Sequence, residues 1–197
     1  IAPQQIRYIF LTHAHDDHAG YLNEVLSECP DLQIVMSDKA LERLYRGQNS
    51  FHGGCTTKIA LFFCYLMKFV GKGKHLFPSI KQEYQCRCIQ VTEQNRKQVE
   101  LLLQGKIIDT PGHTADSISL LLNDGSLFCG DAAMNGLPSL HRITIWAEDK
   151  TAFLKSWETI IALKPNLIYP GHGKPFEYED LKINLKRAKN MELLPIQ

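Results

Sequence analysis

Four short pieces of this 197-residue chain combine histidine and aspartate in patterns suited to metal chemistry. The first is the run His13-Ala14-His15-Asp16-Asp17-His18. The others are His113 in Thr110-Pro-Gly-His-Thr114, Asp131 after Cys129-Gly130, and His172 in Tyr169-Pro-Gly-His-Gly173. Imidazole and carboxylate suit zinc and similar borderline metals, with Fe or Mn as other occupants of the same donor set. Two histidines two residues apart can point the same way from an extended loop. Asp17 and His18 follow the turn and can reach a second position, so one loop can serve two ions. Singly, His113, Asp131 and His172 each read more readily as turn or cap residues. Each follows an apolar stretch, however, and the recurrence makes coincidence a poor account. Two adjacent Zn²⁺ ions can bring a shared water near neutrality and stabilise charge on an attacked carbonyl or phosphoryl centre. Asp17 could orient the resulting hydroxide and relay its proton, so no Ser or Cys nucleophile is required.

The elements that must position these residues are legible as patterns. Ile6–Leu11 is rich in β-formers and reads as a strand running into the first histidines. A helical face of Tyr21, Leu22, Val25 and Leu26 follows, ending near Cys29-Pro30. Gln33–Met36 reads as a strand, and Ser37 as the cap of a helix from Asp38 to Tyr45. From Arg46 to Tyr84 glycine pairs punctuate an apolar run, Ile59–Val70, which suggests an inserted helical or lid-like segment at about 46–84. Cys86–Thr92, Val99–Leu103 and Lys106–Ile108 read as strands. Ser117–Leu122 and Ser126–Cys129 form a hairpin about Asp124-Gly125 and deliver Asp131. Thr151–Leu163 is a helix, Asn166–Tyr169 a strand that delivers His172, and Tyr178–Met191 a final helix. Ligands at strand ends gain rigidity from the sheet backbone, as a catalytic site requires.

Taken in order, these motifs resemble the metallo-β-lactamase-fold hydrolase superfamily over nearly the whole chain. The resemblance implies an α+β fold, a four-layer αββα sandwich with the site at one edge of the paired sheets, here as a single domain over residues 1–197. It implies His13, His15 and His113 on a first metal, Asp17, His18 and His172 on a second, and Asp131 as the bridge. Asp17 and Asp131 would then be the catalytic carboxylates. An Asp at 131 resembles the glyoxalase, lactonase and phosphodiesterase branches, and the stretch after it lacks the residues with which glyoxalase II-type enzymes hold glutathione. The expected activity is hydrolysis of a small ester, lactone or thioester by a metal-bridging hydroxide. The alternatives are a phosphodiesterase of the same fold and a degenerate, non-catalytic metal-binding module. The family usually carries several strands ahead of the first histidine loop, and only a dozen residues stand there. An exposed apolar face and an unpaired strand edge are therefore expected, which invites association into a homo-oligomer.

Composition narrows the partners. A formal net charge of +1 gives no sign of a nucleic-acid surface, so the expected partner is a small molecule. Lys182, Lys186, Arg187 and Lys189 read as a solvated helix face. Ile59–Val70 is too short to span a bilayer and carries Lys68, so no membrane role is expected. Six cysteines without a secretory leader suggest free thiols in a reducing cytoplasm. Met134, Asn135, His141 and Trp146 could face a substrate, although packing or turn roles are the commoner reading for each. His52 and His75 read as surface residues.

Overall fold

The structure is a computed structural model and describes residues 2–196. In the first half, β1 (Tyr8–Phe10) leads to α1 (Asp16–Ala19), α2 (Leu22–Glu28), β2 (Gln33–Ser37) and α3 (Ala40–Arg46). Then come β3 (Gly54–Cys55), α4 (Lys58–Phe69), β4 (Cys88–Val91) and α5 (Arg96–Leu103). In the second half, β5 (Gly105–Asp109), β6 (Ile118–Leu122) and β7 (Ser126–Gly130) precede β8 (Trp146–Ala147), α6 (Lys150–Leu163), β9 (Leu167–Pro170) and α7 (Tyr178–Asn190).

Two sheets form the centre. One is parallel, in the order β1-β2-β4, and the other is mixed, in the order β5-β6-β7-β9. Alternation along β2 assigns the layers. Ile34 and Met36 face a core shared with α2 and α3, while Val35 points the other way, toward Ile107, Ile118 and Leu120 of the second sheet. On the far side of that sheet, Leu127, Cys129 and Ile168 pack against Phe153, Trp157 and Ile160 of α6 and Leu181 of α7. Period-2 strands with both faces apolar thus sit between amphipathic helices, which is the expected αββα sandwich. β1 is an edge strand of its sheet among the described residues, and nearby apolar side chains are incompletely covered. On the second sheet Phe128 stacks on Tyr169 at 4.9 Å and is 38% exposed.

Within segment 46–84, residues 47–77 form a closed excursion, while Ile80 and Tyr84 pack into the core beneath. The chain leaves at Gly47 and returns where Phe77 N–H donates to the Gly47 carbonyl at 2.9 Å. Within it β3 pairs with β8, and Thr57 caps α4 by accepting from Ala60 N–H at 3.0 Å. Ala60 is the one fully buried residue of α4, so the helix lies over the body rather than in it.

The expected strand at Val99–Leu103 is instead the end of α5. Leu is a good helix former, and the residues before it, Arg96-Lys-Gln, favour a helix as well. The start is fixed locally: Thr92 N–H donates to Asn95 Oδ1 at 2.8 Å and Arg96 N–H to the Thr92 carbonyl at 3.0 Å. Val99 is buried while Leu101 is exposed, a helical pattern that the run Leu101-Leu-Leu103 conceals. The strand expected from Cys86 begins only at Cys88, because Gln82–Arg87 winds as a 3₁₀ turn. The C-terminal lysine face is exposed on α7 as expected, with Lys189 paired to Glu158 at 2.8 Å. No helix among the described residues is long and apolar enough to cross a membrane.

Trp157 ties the outer helix to the Asp131 loop. It is fully buried, and its Nε1–H donates to the Ala132 carbonyl at 2.8 Å. Trp157→Ala removes the largest side chain of that layer and this bond. The expected cost is about 3–5 kcal/mol, read as a lower urea midpoint at unchanged slope.

Candidate metal centre

The first histidine loop leaves β1 with its backbone still held by the sheet, since Leu11 N–H donates to the Val35 carbonyl at 2.8 Å. His15 is extended and opens α1, so His13 and His15 lie in extended chain while Asp17 and His18 lie on the first helical turn. That change of backbone after His15 lets one loop present two groups. His113 follows β5 through a turn at Gly112, whose φ is 132° and where a Cβ would fall 2.3 Å from the Phe153 backbone, so no side chain fits. Asp131 follows β7 and His172 follows β9. These two parallel strands are locked together at their ends by Gly171 N–H donating to the Gly130 carbonyl at 2.8 Å.

All seven side chains meet at one place. The rings of His13, His15 and His113 stand 4.7–4.8 Å apart, nearly perpendicular. His113 Nε2 lies 3.1 Å from His15 Nδ1. Asp17, His18 and His172 form a second group, with His172 Nε2 2.8 Å from Asp17 Oδ2. Asp131 stands between them. Its Oδ2 is 3.6 Å from both His113 Nε2 and His172 Nε2, and its Oδ1 is 3.5 Å from His18 Nε2. Gly171 permits this, because a Cβ there would fall 2.5 Å from Asp131 Oδ1.

The electrostatics of the two groups differ. Burial, reinforced by the neighbouring imidazoles, holds His13 and His15 well below the usual histidine range, so both are neutral. Burial also pulls His18 down, but the Asp131 and Asp17 carboxylates outweigh it and raise this imidazole. Hydrogen bonding to Asp17 raises His172 against the effect of its burial. Burial opposes ionisation of Asp17, yet His172 and His18 lower its carboxyl.

The donor set fits divalent ions. Among the described residues, five buried side-chain polar atoms lack a hydrogen-bond partner, and four belong to this cluster: His13 Nε2, His15 Nε2, His18 Nε2 and Asp131 Oδ1. Buried polar atoms are usually paired, so unpaired nitrogens and a carboxylate oxygen gathered in one cluster suit a metal ion. The opposite ring nitrogens are fixed. His113 Nδ1 lies 2.8 Å from the Trp146 carbonyl and His13 Nδ1 3.1 Å from Thr12 Oγ1, as is usual behind a ligating imidazole.

The sequence pattern did not single out Arg43, Asp116 and Glu148, which brace the site from behind. Asp116 accepts from Ala14 N–H at 2.8 Å, between the first two histidines. Arg43 Nε lies 3.0 Å from Asp116 Oδ1, and its two terminal nitrogens meet the Glu148 carboxylate at 2.8 Å each. Glu148 in turn accepts from Ala115 N–H at 2.8 Å. Asp116, three residues past His113 in a polar turn, carried a weak signal. Arg43 and Glu148 carried none, because their partners are distant in sequence.

A cavity of about 570 Å³ opens onto the cluster, with His15, Asp17, His113, Asp131 and His172 on its floor. Met134 and Trp146 line it, although packing or turn roles are the commoner reading of the sequence. Asn135 and His141 turn elsewhere: Asn135 Nδ2 donates to the Lys174 carbonyl at 2.7 Å, and His141 Nδ1 lies 2.7 Å from Arg187 Nη1. His52 is exposed as expected. His75 is not simply a surface residue. It is half-buried, lines the cavity and lies 3.3 Å from Asp16 Oδ2, because the excursion folds back over the first loop.

The family profile of the metallo-beta-lactamase superfamily matches residues 1–172. The chain belongs to this superfamily, whose members are typically metal-dependent hydrolases and bind metal ions. It is similar to a "Beta-lactamase-like protein 2 homolog" of Caenorhabditis elegans, 26% identical over 97% of this chain and 52% of that protein. The Drosophila melanogaster protein of the same name is 33% identical over 45% of this chain and 30% of its own length. A "Probable metallo-hydrolase YflN" of Bacillus subtilis is 24% identical over 94% of this chain and 71% of that protein. The chain thus spans about half or less of the length of the two animal relatives. Among solved structures, an archaeal superfamily protein from Sulfolobus tokodaii superimposes with a TM-score of 0.58 at 20% identity, over 96% of this chain and 70% of that one. TTHA1623 in a di-iron-bound form gives 0.59 at 19%, over 90% and 74%. These likenesses concern the fold.

Arg43→Met keeps an unbranched, flexible stem but leaves Asp116 and Glu148 buried without their counter-charge. A loss of about 3–5 kcal/mol is expected, measurable by urea unfolding. Bound metal should fall with it, because Asp116 holds the backbone between His13 and His15.

Proposed function

We propose that this chain is a dinuclear metal-dependent hydrolase acting on a small ester, lactone or thioester with an apolar acyl portion. The observation that carries the reading is the cavity over the cluster. Its walls are Phe51, Phe63, Met67, Met134, Ile145 and Trp146, and its floor is the group of imidazoles and carboxylates. An apolar wall binds an acyl chain by excluding water, and a polar floor addresses the carbonyl at its end. His13, His15 and His113 would hold one ion, Asp17, His18 and His172 the other, with Asp131 shared between them. Two bound Zn²⁺ ions, or Fe or Mn in their place, would supply an acidified water and a Lewis acid for the carbonyl oxygen. Asp17 is the outermost carboxylate and the one most open to solvent, which suits it to orient the attacking water and accept its proton. The depressed carboxyl of Asp17 keeps it in the accepting, ionised form. The phosphodiesterase alternative draws support from Lys68 and Lys72, which also line the cavity and suit a phosphate oxygen.

The test is elemental analysis of zinc-loaded protein, alongside turnover of aliphatic esters, lactones, acyl thioesters and bis-nitrophenyl phosphate. Close to two ions per chain and chelator-sensitive acyl hydrolysis are expected, with Asp131→Ala losing both. Turnover of the phosphodiester alone would favour the alternative, and metal without any turnover a binding module.

Acid should empty the site in two steps. His18 and His172 hold protons at higher pH than ordinary histidines, whereas His13 and His15 protonate only well below the usual range. Protons compete with metal for the same nitrogens. The Asp17–His18–His172 ion should therefore leave first as pH falls. Dialysis at stepped pH followed by elemental analysis should show a plateau near one ion per chain, and loss of both in one step would count against unequal positions.

A further inference from the structure

Two cysteines of the excursion stand together, one of them in the cavity wall and the other behind it. Cys55, on β3, is fully buried, and its S–H donates to the sulfur of Cys64, on α4, at 3.4 Å. Cys64 is half-buried and lines the cavity, so a small solute in the cavity meets its sulfur first. The strand that carries Cys55 pairs with β8, Cys55 opposite Trp146, and the Trp146 carbonyl is the partner of His113 Nδ1. One sulfur is thus mounted on the backbone behind the metal cluster and the other on the helix that roofs the cavity.

We propose that Cys55 and Cys64 are an oxidisable dithiol, a modification site through which hydrogen peroxide links α4 covalently to β3. Cys64 is the attacking thiol and Cys55 the resolving one. The thiolate of Cys64 attacks one peroxide oxygen, the O–O bond breaks, and Cys64 becomes a sulfenic acid as hydroxide leaves. Cys55 then attacks that sulfur, the S–O bond breaks, and a second hydroxide leaves. The two thiol protons complete two waters. Two thiols are oxidised to one disulfide and one peroxide is reduced.

Division of labour follows from the surroundings. The hydrogen bond from Cys55 and the charge of His75 hold the Cys64 thiol below the ordinary cysteine range, against the effect of its burial. The same hydrogen bond, with burial, pushes the Cys55 thiol up. A reactive, accessible sulfur backed by an unreactive one is the arrangement that favours disulfide formation over further oxidation. Closing the contact to a bond of about 2.05 Å requires the sulfurs to approach by roughly 1.4 Å. The helix can yield, because it buries little and Phe62 and Phe69 on its outer side are 71% and 88% exposed. The inference does not depend on the hydrolase reading.

The experiment uses zinc-loaded protein carrying Cys86→Ser, which removes the exposed competing thiol. It is treated with stoichiometric hydrogen peroxide, alkylated under denaturing conditions and digested with trypsin. Lys58 lies between the two cysteines, so peptide 47–58 joined to peptide 59–68 reports the bond. That cross-link is expected, reversed by reductant, while Cys29 and Cys129 remain alkylatable. In Cys55→Ser, Cys64 should stop at the sulfenic acid and be trapped by dimedone. In Cys64→Ser, Cys55 should stay reduced. Full alkylation of both cysteines after peroxide, or peroxide-dependent capture at Cys55 in the absence of Cys64, would overturn the proposal.

Discussion

Crowding imidazoles and a carboxylate into one buried spot opposes folding unless something else holds them there. Each unpaired nitrogen in the interior has lost its water, and neighbouring imidazoles cannot all carry charge. The rest of the architecture answers that constraint. Both sheets end at the cluster, and each ligand-bearing loop begins while its backbone is still in a sheet ladder. Thr12, the Trp146 carbonyl and the Asp116 brace then fix the loops that emerge. What results is a set of lone pairs aimed at common points, with the protein's own hydrogen-bonding capacity withheld from them.

The asymmetry of the cluster follows from depth. His13 and His15 are enclosed by other imidazoles and by the sandwich, so desolvation governs them. His18 and His172 sit nearer the opening, where Asp17 and Asp131 add opposing charge. Two positions built from similar residue types therefore have different proton affinities. The deeper pair of imidazoles resists protonation, and the outer pair favours it.

Sequence patterns reached the layers and the cluster because both depend on local rules. Alternation in Gln33–Ser37, helical spacing in Lys150–Leu163 and the Pro-Gly turns before His113 and His172 all act within a few residues. What stayed illegible depends on distance. Arg43 meets Glu148 across 105 positions, and no spacing announces that. His75 looked like a surface residue because the excursion's return path is set by pairing between Gly47 and Phe77. Val99–Leu103 misled for another reason: four apolar letters carry no period, and the helix start at Thr92 and Asn95 decided the outcome.

The closed excursion divides the molecule mechanically. The roof of the cavity hangs from two neighbouring points on the chain, while the floor is built from strands that cross the whole domain. The roof meets the floor at a few points, the two-residue pairing of β3 with β8 and the contacts of Asn49 and His75 with Asp16. The wall of the cavity can thus change in sequence while its floor of imidazoles and carboxylates stays intact. A scaffold divided in this way separates the shape of the cavity from the side chains at its base.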